Sequence, residues 1–317
     1  MLYKKSKIYL AGHTGLVGSA ILRRLKDSGY KNIITRTRRQ LDLKNKKKVL
    51  FFLKKNKFKF VIIAAGKVGG IYANNKYRVD FIYDNLELQN NIIYSSFLTG
   101  VKNLVFLGSS CIYPKNCPQP IKENYLLTGE LEKTNEPYAI AKIAGIKLCE
   151  SLNIQYGTNY KCLMPCNIYG PNDNYDFENS HFFPALIAKT YNVIINNKKK
   201  VIVWGNGKVK RELMYSDDLA DACIFFLKKK TKETIINIGS SIEMTISEYA
   251  KFIIKKFNKK LKIQFDRSKD NGVNRKLLDC SIAHKYGWRP KFSLDYGFDI
   301  TLKSFIESRK KLNKINK

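Results

Sequence analysis

The chain has 317 residues, a hydrophobic content of 44% and a formal net charge of +32 at neutral pH. This length exceeds the size at which one core usually stops growing, which predicts a large domain with a smaller one beside it. No apolar stretch approaches the roughly 20 residues of a membrane-spanning helix, and no cleavable leader pattern is visible, so no membrane partner is expected. The seven cysteines are scattered and lack a Cys-x-x-Cys pair, which favours reduced thiols in the cytoplasm and no metal site.

The charge raises one alternative, a basic nucleic-acid-binding protein. Runs of lysine occur at 44–48, 198–200, 228–230 and 310–317, but they are not gathered on one helix face with interleaved aromatic residues. This spread favours a solvated surface and no nucleic-acid partner. The alternative would show an affinity that falls steeply with salt concentration.

Strand and helix patterns alternate through the first 170 residues. Strands are predicted at 8–11, 32–37, 60–65, 104–107 and 161–164, and helices after residue 16, near 46–55, at 78–98 and at 139–156. Strands separated by helices of this length form right-handed βαβ units. The pattern therefore predicts an α/β fold, a doubly wound parallel sheet of the Rossmann type.

After Gly170 the alternation of strands and helices ends, and the sequence predicts loops, shorter helices and a strand at 201–204. Thr245 and Glu248 form a capping-box pattern before an amphipathic helix. Residues 1–170 are predicted to form the cofactor domain, with a return segment near 205–240 that includes a strand at 235–238. Residues 171–308 are predicted to form mainly a substrate-binding domain, and the lysine-rich tail 309–317 is expected to be frayed.

A glycine-rich turn follows the first predicted strand and opens the first helix. Its residues are Gly12, His13, Thr14, Gly15, Leu16, Val17 and Gly18. Glycines at this place allow a tight turn and a close approach of the backbone to a pyrophosphate, which then binds at the helix N-terminus. The turn predicts a dinucleotide site.

The end of the second strand discriminates between the two nicotinamide cofactors. A site for NAD usually offers a carboxylate to the ribose 2′-hydroxyl, about 20 residues after the glycines. This chain offers Arg36, Arg38 and Arg39, with no carboxylate before Asp42. Guanidinium groups suit a 2′-phosphate, so NADP(H) is favoured, although a basic chain can carry arginines there by chance.

Ser109, Tyr138 and Lys142 have the side chains that a ketone reductase needs. A Tyr-x-x-x-Lys pattern alone has little value, since Tyr3 and Tyr72 begin the same pattern. Tyr138 differs because it begins the helix that follows the fourth strand, and Ser109 lies at the end of that strand. One turn apart on a helix, Lys142 is expected to lower the pKa of the phenol, while Ser109 binds the substrate oxygen.

At these residues the chain resembles the extended short-chain dehydrogenase/reductase superfamily and, within it, the GDP-L-fucose synthase family. The similar segments are residues 67–71, 106–114, 135–145, 164–174, 179–181, 203–207 and 275–279. The resemblance implies an NADPH-dependent enzyme that epimerises C3 and C5 of GDP-4-keto-6-deoxy-D-mannose and then reduces C4. It also implies a homodimer packed through the helices at 78–98 and 139–156.

Carried over by position, the resemblance assigns roles to individual residues. The catalytic residues would be Ser109, Cys111, Tyr138, Lys142 and His181. The substrate contacts would be Lys189, Trp204, Arg211 and Asp279. Besides the glycine turn, the cofactor contacts would be Arg38, Arg39, Gln40, Leu41, Asp42, Leu43, Leu107, Gly108, Ser109, Ser110, Lys142, Pro165, Cys166, Asn167, Ile168 and His181.

Some alternatives stay open at this point. A thiol and an imidazole both titrate near neutrality, so Cys111 and His181 suit proton removal and delivery, but the order of their roles is not decided. Cys111 can also be a small buried hydrophobe, and Trp204 can belong to a core. Thr14 and Lys189 stand where family members often have arginine, which affects affinity more than reaction type. The nearest rival enzyme is a nucleotide-sugar 4-epimerase that recycles tightly held NAD.

Overall fold

A computed structural model of the chain describes residues 4–269 and 272–315. The twelve strands found in these ranges are β1 Ile8–Ala11, β2 Ile33–Arg36, β3 Phe60–Ile63, β4 Asn103–Leu107, β5 Asn159–Pro165, β6 Asn167–Tyr169, β7 Lys200–Trp204, β8 Lys210–Tyr215, β9 Ile235–Ile238, β10 Glu243–Thr245, β11 Lys262–Asp266 and β12 Arg275–Lys276. The ten α-helices found there are α1 Leu16–Asp27, α2 Lys46–Asn56, α3 Ile71–Lys76, α4 Arg78–Leu98, α5 Glu136–Tyr156, α6 Phe182–Ile195, α7 Ser216–Lys228, α8 Ile246–Lys256, α9 Ser281–Lys285 and α10 Leu294–Ile315.

The largest sheet has six parallel strands in the order β2-β1-β3-β4-β5-β9. Every residue of β1 and β3 is buried, as expected for strands covered on both faces. Helices α2, α4 and α5 pack together, and α1 packs on α7. The predicted α/β class with a doubly wound parallel sheet is confirmed.

The order of the strands reverses between β1 and β3, because β2 lies on one side of β1 and the later strands lie on the other. In open α/β sheets this reversal opens a crevice at the carboxyl ends of the strands, where ligands bind. The glycine turn follows β1 at this edge. The segment 107–112 follows β4 at the same edge, so the fold brings both motifs to one side of the sheet.

A second core lies outside the large sheet. It is built from buried side chains of α6, α8, α10 and short strands, among them Phe183, Tyr249 and Phe298. Strand β8 pairs with β10, β12 and β6, while β7 pairs with β11. Strands β8 and β12 are absent from the sequence prediction, and both of them carry residues of the site. The predicted domain boundary at residue 170 stays a prediction.

Several local predictions can be compared with the structure directly. The strand at 235–238 does return to the large sheet, and the capping box at Thr245 and Glu248 is formed. The strand predicted at 60–65 ends at Ile63. The tail is helical as far as Ile315, and its predicted fraying stays a prediction. In the described part of the chain, no helix has the length and apolar character to cross a membrane.

Candidate active site

The turn between β1 and α1 is packed tightly against the end of β3. Gly12 has a φ of +85°, and a Cβ on it would lie 2.6 Å from the backbone nitrogen of Ala65. A Cβ on Gly18 would lie 1.9 Å from the carbonyl oxygen of Gly12. Gly15 is the N-cap of α1 and provides no side-chain cap. The first N–H groups of this helix are therefore available to an anion.

The side chains of the glycine turn are also suited to the binding of an anionic ligand. Thr14 and Gly15 are exposed. The Nδ1 atom of His13 is buried and has no hydrogen-bond partner among the described residues, and burial lowers the pKa of this imidazole. An unpartnered ring nitrogen beside open N–H groups is suited to contact a bound polar group.

The segment after β2 presents cations to solvent. Arg38 and Arg39 are exposed, whereas the guanidinium of Arg36 lies 5.3 Å from the ring centroid of Phe52. The Oδ1 atom of Asp42 accepts the backbone N–H of Lys44 at 3.1 Å, so this carboxylate is used inside its own turn. The segment therefore suits a phosphate better than a ribose hydroxyl.

Ser109 and Tyr138 meet at the carboxyl end of β4. Ser109 caps the short 3-10 turn at 110–112, and its Oγ accepts the backbone N–H of Cys111 at 3.2 Å. Tyr138 lies in the first turn of α5, is only 9% exposed and packs edge-on against Phe81. Burial raises the pKa of its phenol, and the nearby hydroxyl of Ser109 lowers it. A hydroxyl and a phenol thus lie side by side, and a site that reduces a carbonyl requires both groups close to the carbonyl oxygen.

Lys142 does not act on Tyr138 as the sequence predicts. Its Nζ donates to the carbonyl oxygen of Leu107 at 2.9 Å and lies 5.8 Å from the ring centroid of Tyr138. Burial lowers the pKa of Lys142 to about 8. Burial also raises the pKa of Tyr138, Cys111 raises it further, and the hydrogen bond with Ser109 lowers it. The predicted lowering by Lys142 is wrong here because the ammonium points to the backbone of β4.

Cys111 lies beside the same phenol. Its side chain packs against Ala73, Phe81 and Tyr138 and is half-buried. The Nζ of Lys276 lies 3.5 Å from its Sγ. The thiol is therefore only partly enclosed by apolar side chains, and it lies close to both Tyr138 and an ammonium.

His181 is the N-cap of α6, and part of its surface is exposed to solvent. The protein atoms around the ring lower the pKa of its imidazole by desolvation, and the charge of Lys276 lowers it further. The backbone N–H of Gly70 donates to the carbonyl oxygen of Asn179 at 2.9 Å, which ties the loop after β3 to the segment before His181. Lys276 thus lies within electrostatic range of both predicted epimerisation groups.

Three of the four predicted substrate residues lie on α6, β7 and β8. The Nζ of Lys189 is 4.1 Å from the ring centroid of Trp204, and the Nζ of Lys269 is 5.2 Å from it. Trp204 is half-buried between these cations and is not among the buried residues of the second core. Arg211 is also half-buried, and its Nη1 donates to the carbonyl oxygen of Val273 at 2.6 Å.

The fourth predicted substrate residue, Asp279, lies at the start of α9. Its Oδ1 accepts the backbone N–H of Ser281 at 2.8 Å. The predicted cofactor segment 165–168 joins β5 to β6, where the backbone N–H of Cys166 donates to the carbonyl oxygen of Ile238 at 3.0 Å. The substrate role of Asp279 and the cofactor role of this segment stay predictions.

Two lysines in or near the site were missed by the sequence reasoning. Lys276 touches Cys111, and Lys269 faces Trp204. The chain contains 58 lysine and arginine residues, so residue type alone does not distinguish these two lysines from the others. The segment 275–279 resembles the family, and this resemblance is the one sequence signal that points to Lys276. Among the described residues, no cluster of three or more His, Cys, Asp or Glu side chains is arranged to hold a metal ion.

Comparison with known proteins decides the family. Residues 8–239 match the NAD dependent epimerase/dehydratase family. The chain belongs to this family. Within the epimerase/dehydratase family, GDP-L-fucose synthase 1 of Arabidopsis thaliana is 48% identical over 305 residues, which cover 96% of this chain and 94% of that protein.

Other members of the epimerase/dehydratase family are similar over the same length. GDP-L-fucose synthase of Escherichia coli K12 is 45% identical over 314 residues, which cover 96% of this chain and 98% of that protein. Among solved structures, a GDP-D-glycero-L-gluco-heptose synthase from Campylobacter jejuni, determined in the presence of NADPH, has a TM-score of 0.88 and 37% identity. That match covers 96% of this chain and 99% of the other.

Proposed function

We propose that this family member is a GDP-L-fucose synthase. It converts GDP-4-keto-6-deoxy-D-mannose to GDP-L-fucose with NADPH, by epimerising C3 and C5 and then reducing C4. The observation that carries the proposal is that Cys111 packs against Tyr138 while its N–H binds Ser109. A simple ketone reductase needs the hydroxyl and the phenol but not the thiol. The names of the plant and bacterial relatives support the same reaction.

The proposed cofactor is NADP(H). The close backbone approach at Gly12 and Gly18 and the uncapped start of α1 fit its pyrophosphate. The exposed Arg38 and Arg39 fit its 2′-phosphate, and residues 40–43, 107–110 and 165–168 would complete the contacts. When bound, NADPH supplies a hydride to the C4 carbonyl carbon.

In the reduction, the chain's own side chains orient the substrate and supply a proton. Ser109 donates a hydrogen bond to the C4 oxygen. Tyr138 transfers its phenolic proton to that oxygen, and burial supports this role because it keeps the phenol protonated at neutral pH. Lys142 donates a hydrogen bond to the carbonyl oxygen of Leu107 and would also bind the nicotinamide ribose.

In the epimerisation, the protons on C3 and C5 are acidic because both carbons flank the C4 carbonyl. Removal of each proton produces an enolate, whose oxygen is stabilised by the hydrogen bonds from Ser109 and Tyr138. One of Cys111 and His181 removes the proton, and the other delivers one to the opposite face. The lowered pKa of His181 keeps its imidazole ready to accept a proton near neutrality.

The nucleotide end of the substrate would bind at the surface of α6, β7 and β8, the elements that surround the second core. Trp204 offers a ring face for the guanine, and Lys189 and Arg211 offer charges for the diphosphate. Burial lowers the pKa of Lys189. A bound diphosphate would favour its charged form. Asp279 is the fourth residue proposed to contact the substrate.

One assay tests the function and its rivals. Purified protein receives GDP-4-keto-6-deoxymannose with either NADPH or NADH, and loss of the reduced cofactor and the identity of the sugar are followed. Net oxidation of NADPH with formation of GDP-L-fucose is the expected result. Interconversion without net oxidation would indicate a 4-epimerase with recycled NAD, and reduction without inversion at C3 and C5 would indicate a pure C4 reductase. Salt-sensitive binding of nucleic acid without turnover would support the remaining alternative.

The proposed assembly is a homodimer through α4 and α5. Large exposed apolar residues lie on α4 as two pairs with a spacing of four residues, Val79 with Tyr83 and Tyr94 with Leu98. Ile140, Ile154 and Tyr156 are exposed on the neighbouring helix α5. Two packed helices with such a shared apolar surface are typical of a self-association interface.

The proposed location is the cytoplasm. All seven cysteines lie in the described ranges and carry free thiols, which is typical of a reducing compartment. The proposed organisation remains a cofactor domain built on residues 1–170, joined by the return segment, and a mainly substrate-binding domain at 171–308.

A further inference from the structure

Lys276 approaches the sulfur of Cys111 from an element that the reductase chemistry does not use. Its Nζ lies 3.5 Å from the Sγ atom, across 165 positions of sequence. This distance is within the range of a hydrogen bond to sulfur. Lys276 is half-buried at the end of β12, a strand of two residues.

The register of β12 on β8 determines where this lysine points. Lys276 is paired with Arg211, and Arg275 is paired with Lys210. Residues paired in this way present their side chains on the same face, and successive residues alternate between faces. Lys276 and Arg211 therefore share one face of the small sheet. Burial lowers the pKa of Arg211, and the neighbouring Cys111 acts in the opposite direction.

The two faces of this strand pair have different partners. Glu243 accepts hydrogen bonds from Nε of Arg275 at 2.9 Å and lies 3.6 Å from Nζ of Lys210. Lys276 makes no ion pair with a carboxylate among the described residues, and its hydrogen-bond partner there is the sulfur. A lysine that only stabilised the sheet would be expected to have an acidic partner like that of its neighbours. The pairing of ammonium with thiol indicates a role at the sulfur.

We propose that Lys276 is a positioning residue for the epimerisation, whose ammonium stabilises and orients the thiolate of Cys111. The inference rests on the proposed function. The groups that face the sulfur are Lys276 and Arg211 from the small sheet, Tyr138 from α5 and the N-capping Ser109.

Both possible roles of the cysteine include the thiolate. If Cys111 removes the proton, an S–H bond forms, the C–H bond breaks, and its electron pair moves to the carbonyl oxygen. If Cys111 delivers the proton, the S–H bond breaks and its electron pair remains on the sulfur, while the electron pair of the enolate forms the new C–H bond and the carbonyl is restored. In either case Lys276 keeps its own protons and only balances the negative charge.

The direct test measures the reactivity of the sulfur. Iodoacetamide alkylation of Cys111 at neutral pH is followed by mass spectrometry of its peptide, which separates it from the half-exposed Cys117. Because only the thiolate reacts, Lys276→Met should slow the alkylation about 10-fold or more, while Lys276→Arg should stay within about 3-fold of wild type. Lys210→Met is the matched control on the same strand pair and should change nothing. Equal alkylation rates in wild type and Lys276→Met would overturn the proposal.

A second measurement separates this inference from the proposed function. Lys276→Met should slow deuterium uptake at C3 and C5 of GDP-4-keto-6-deoxymannose about 10-fold or more, with Lys276→Arg largely restoring it. If the wild type does not act on this sugar, the function fails while the alkylation comparison still decides the role of Lys276. NADPH binding and the melting temperature report folding, and Lys276→Gln replaces the methionine variant if the latter does not fold.

Discussion

The phenol of Tyr138 is buried, and burial makes its ionisation unfavourable. Burial raises its pKa, and neighbouring Cys111 adds to the effect. At neutral pH the phenol therefore keeps its proton, which is the form that a proton donor needs. The hydrogen bond with Ser109 acts in the opposite direction and stabilises the phenolate that remains after the transfer.

Tyr138→Phe should lower the rate of NADPH oxidation about 100-fold or more, because the proton donor is removed. The edge-on contact with Phe81 needs only the ring, so the fold should be intact. Turnover with GDP-4-keto-6-deoxymannose and the melting temperature measure the two effects. Tyr296→Phe, at an exposed tyrosine, is the control. Near-normal oxidation by Tyr138→Phe would remove this residue as the proton donor.

Cys111→Ser should slow deuterium uptake from solvent at C3 and C5, because a hydroxyl loses its proton far less readily than a thiol. The exchange is measured by NMR with NADP⁺ present, so that no hydride is transferred. We expect a loss of about 100-fold, within the usual range for a general acid or base. Cys117→Ser replaces the other half-exposed thiol and serves as control. Unchanged exchange at both carbons would mean that the thiol of Cys111 is structural.

At the scale of elements, the short strands β8 and β12 hold the cations of the site. Glu212 follows Arg211 on β8 and is fully buried. Its two carboxylate oxygens accept the backbone N–H groups of Ser241 at 2.7 Å and Leu278 at 3.0 Å. This side chain therefore ties β8 to the turn before β10 and to the segment that leaves β12, two residues after Lys276.

Glu212 should make stability depend on pH. Burial raises its pKa to about 7, whereas the unfolded chain has the ordinary glutamate pKa of about 4.3. Between these values the folded state keeps a proton that the unfolded state has lost. The contribution to the free energy of unfolding is therefore fully present below about pH 4.3 and is lost as the pH rises through about 7.

Glu212→Gln should reduce this slope by up to about 1.4 kcal/mol per pH unit, and chemical unfolding at a series of pH values measures it. The variant should also be less stable at low pH by about 1–3 kcal/mol, since an amide cannot accept both N–H groups. Asp173 and Asp218, whose pKa values burial raises to about 7 and about 6, keep some slope of the same sign. Glu130→Gln, at an exposed site, is the control. An unchanged slope in Glu212→Gln would contradict the argument.

In the molecule as a whole, seven of the large exposed apolar side chains found among the described residues lie on α4 and α5. Each of these helices has 21 residues, and the two pack side by side. A surface that keeps large apolar side chains in water costs solvation free energy, and association with a second copy removes that cost.

Combining Tyr94→Asp with Ile154→Asp should weaken dimerisation about 100-fold or more, because charges would be buried in an apolar contact. Sedimentation at several protein concentrations measures the dissociation constant. Phe51→Asp is the matched control, since Phe51 is 67% exposed on α2 and lies outside the proposed surface. A wild type that stays monomeric at high concentration would contradict the proposed homodimer.

Features that depend on near neighbours in the chain can be predicted from residue type and spacing. The buried strands, the glycine turn and the capping box at Thr245 follow from residue type and spacing, and the structure contains each of them. These predictions succeed because local hydrogen bonds and steric limits decide them.

Only the tertiary structure decided which distant side chains meet. Strand β12 has only two residues, and the six residues of β8 show no alternation of buried and exposed side chains. The buried carboxylate of Glu212 connects the two strands. Their pairing brings Lys276 to Cys111, while the burial of Lys142 on α5 turns its ammonium toward the carbonyl oxygen of Leu107. Such contacts depend on register and on the burial of charge, which no short window of sequence contains.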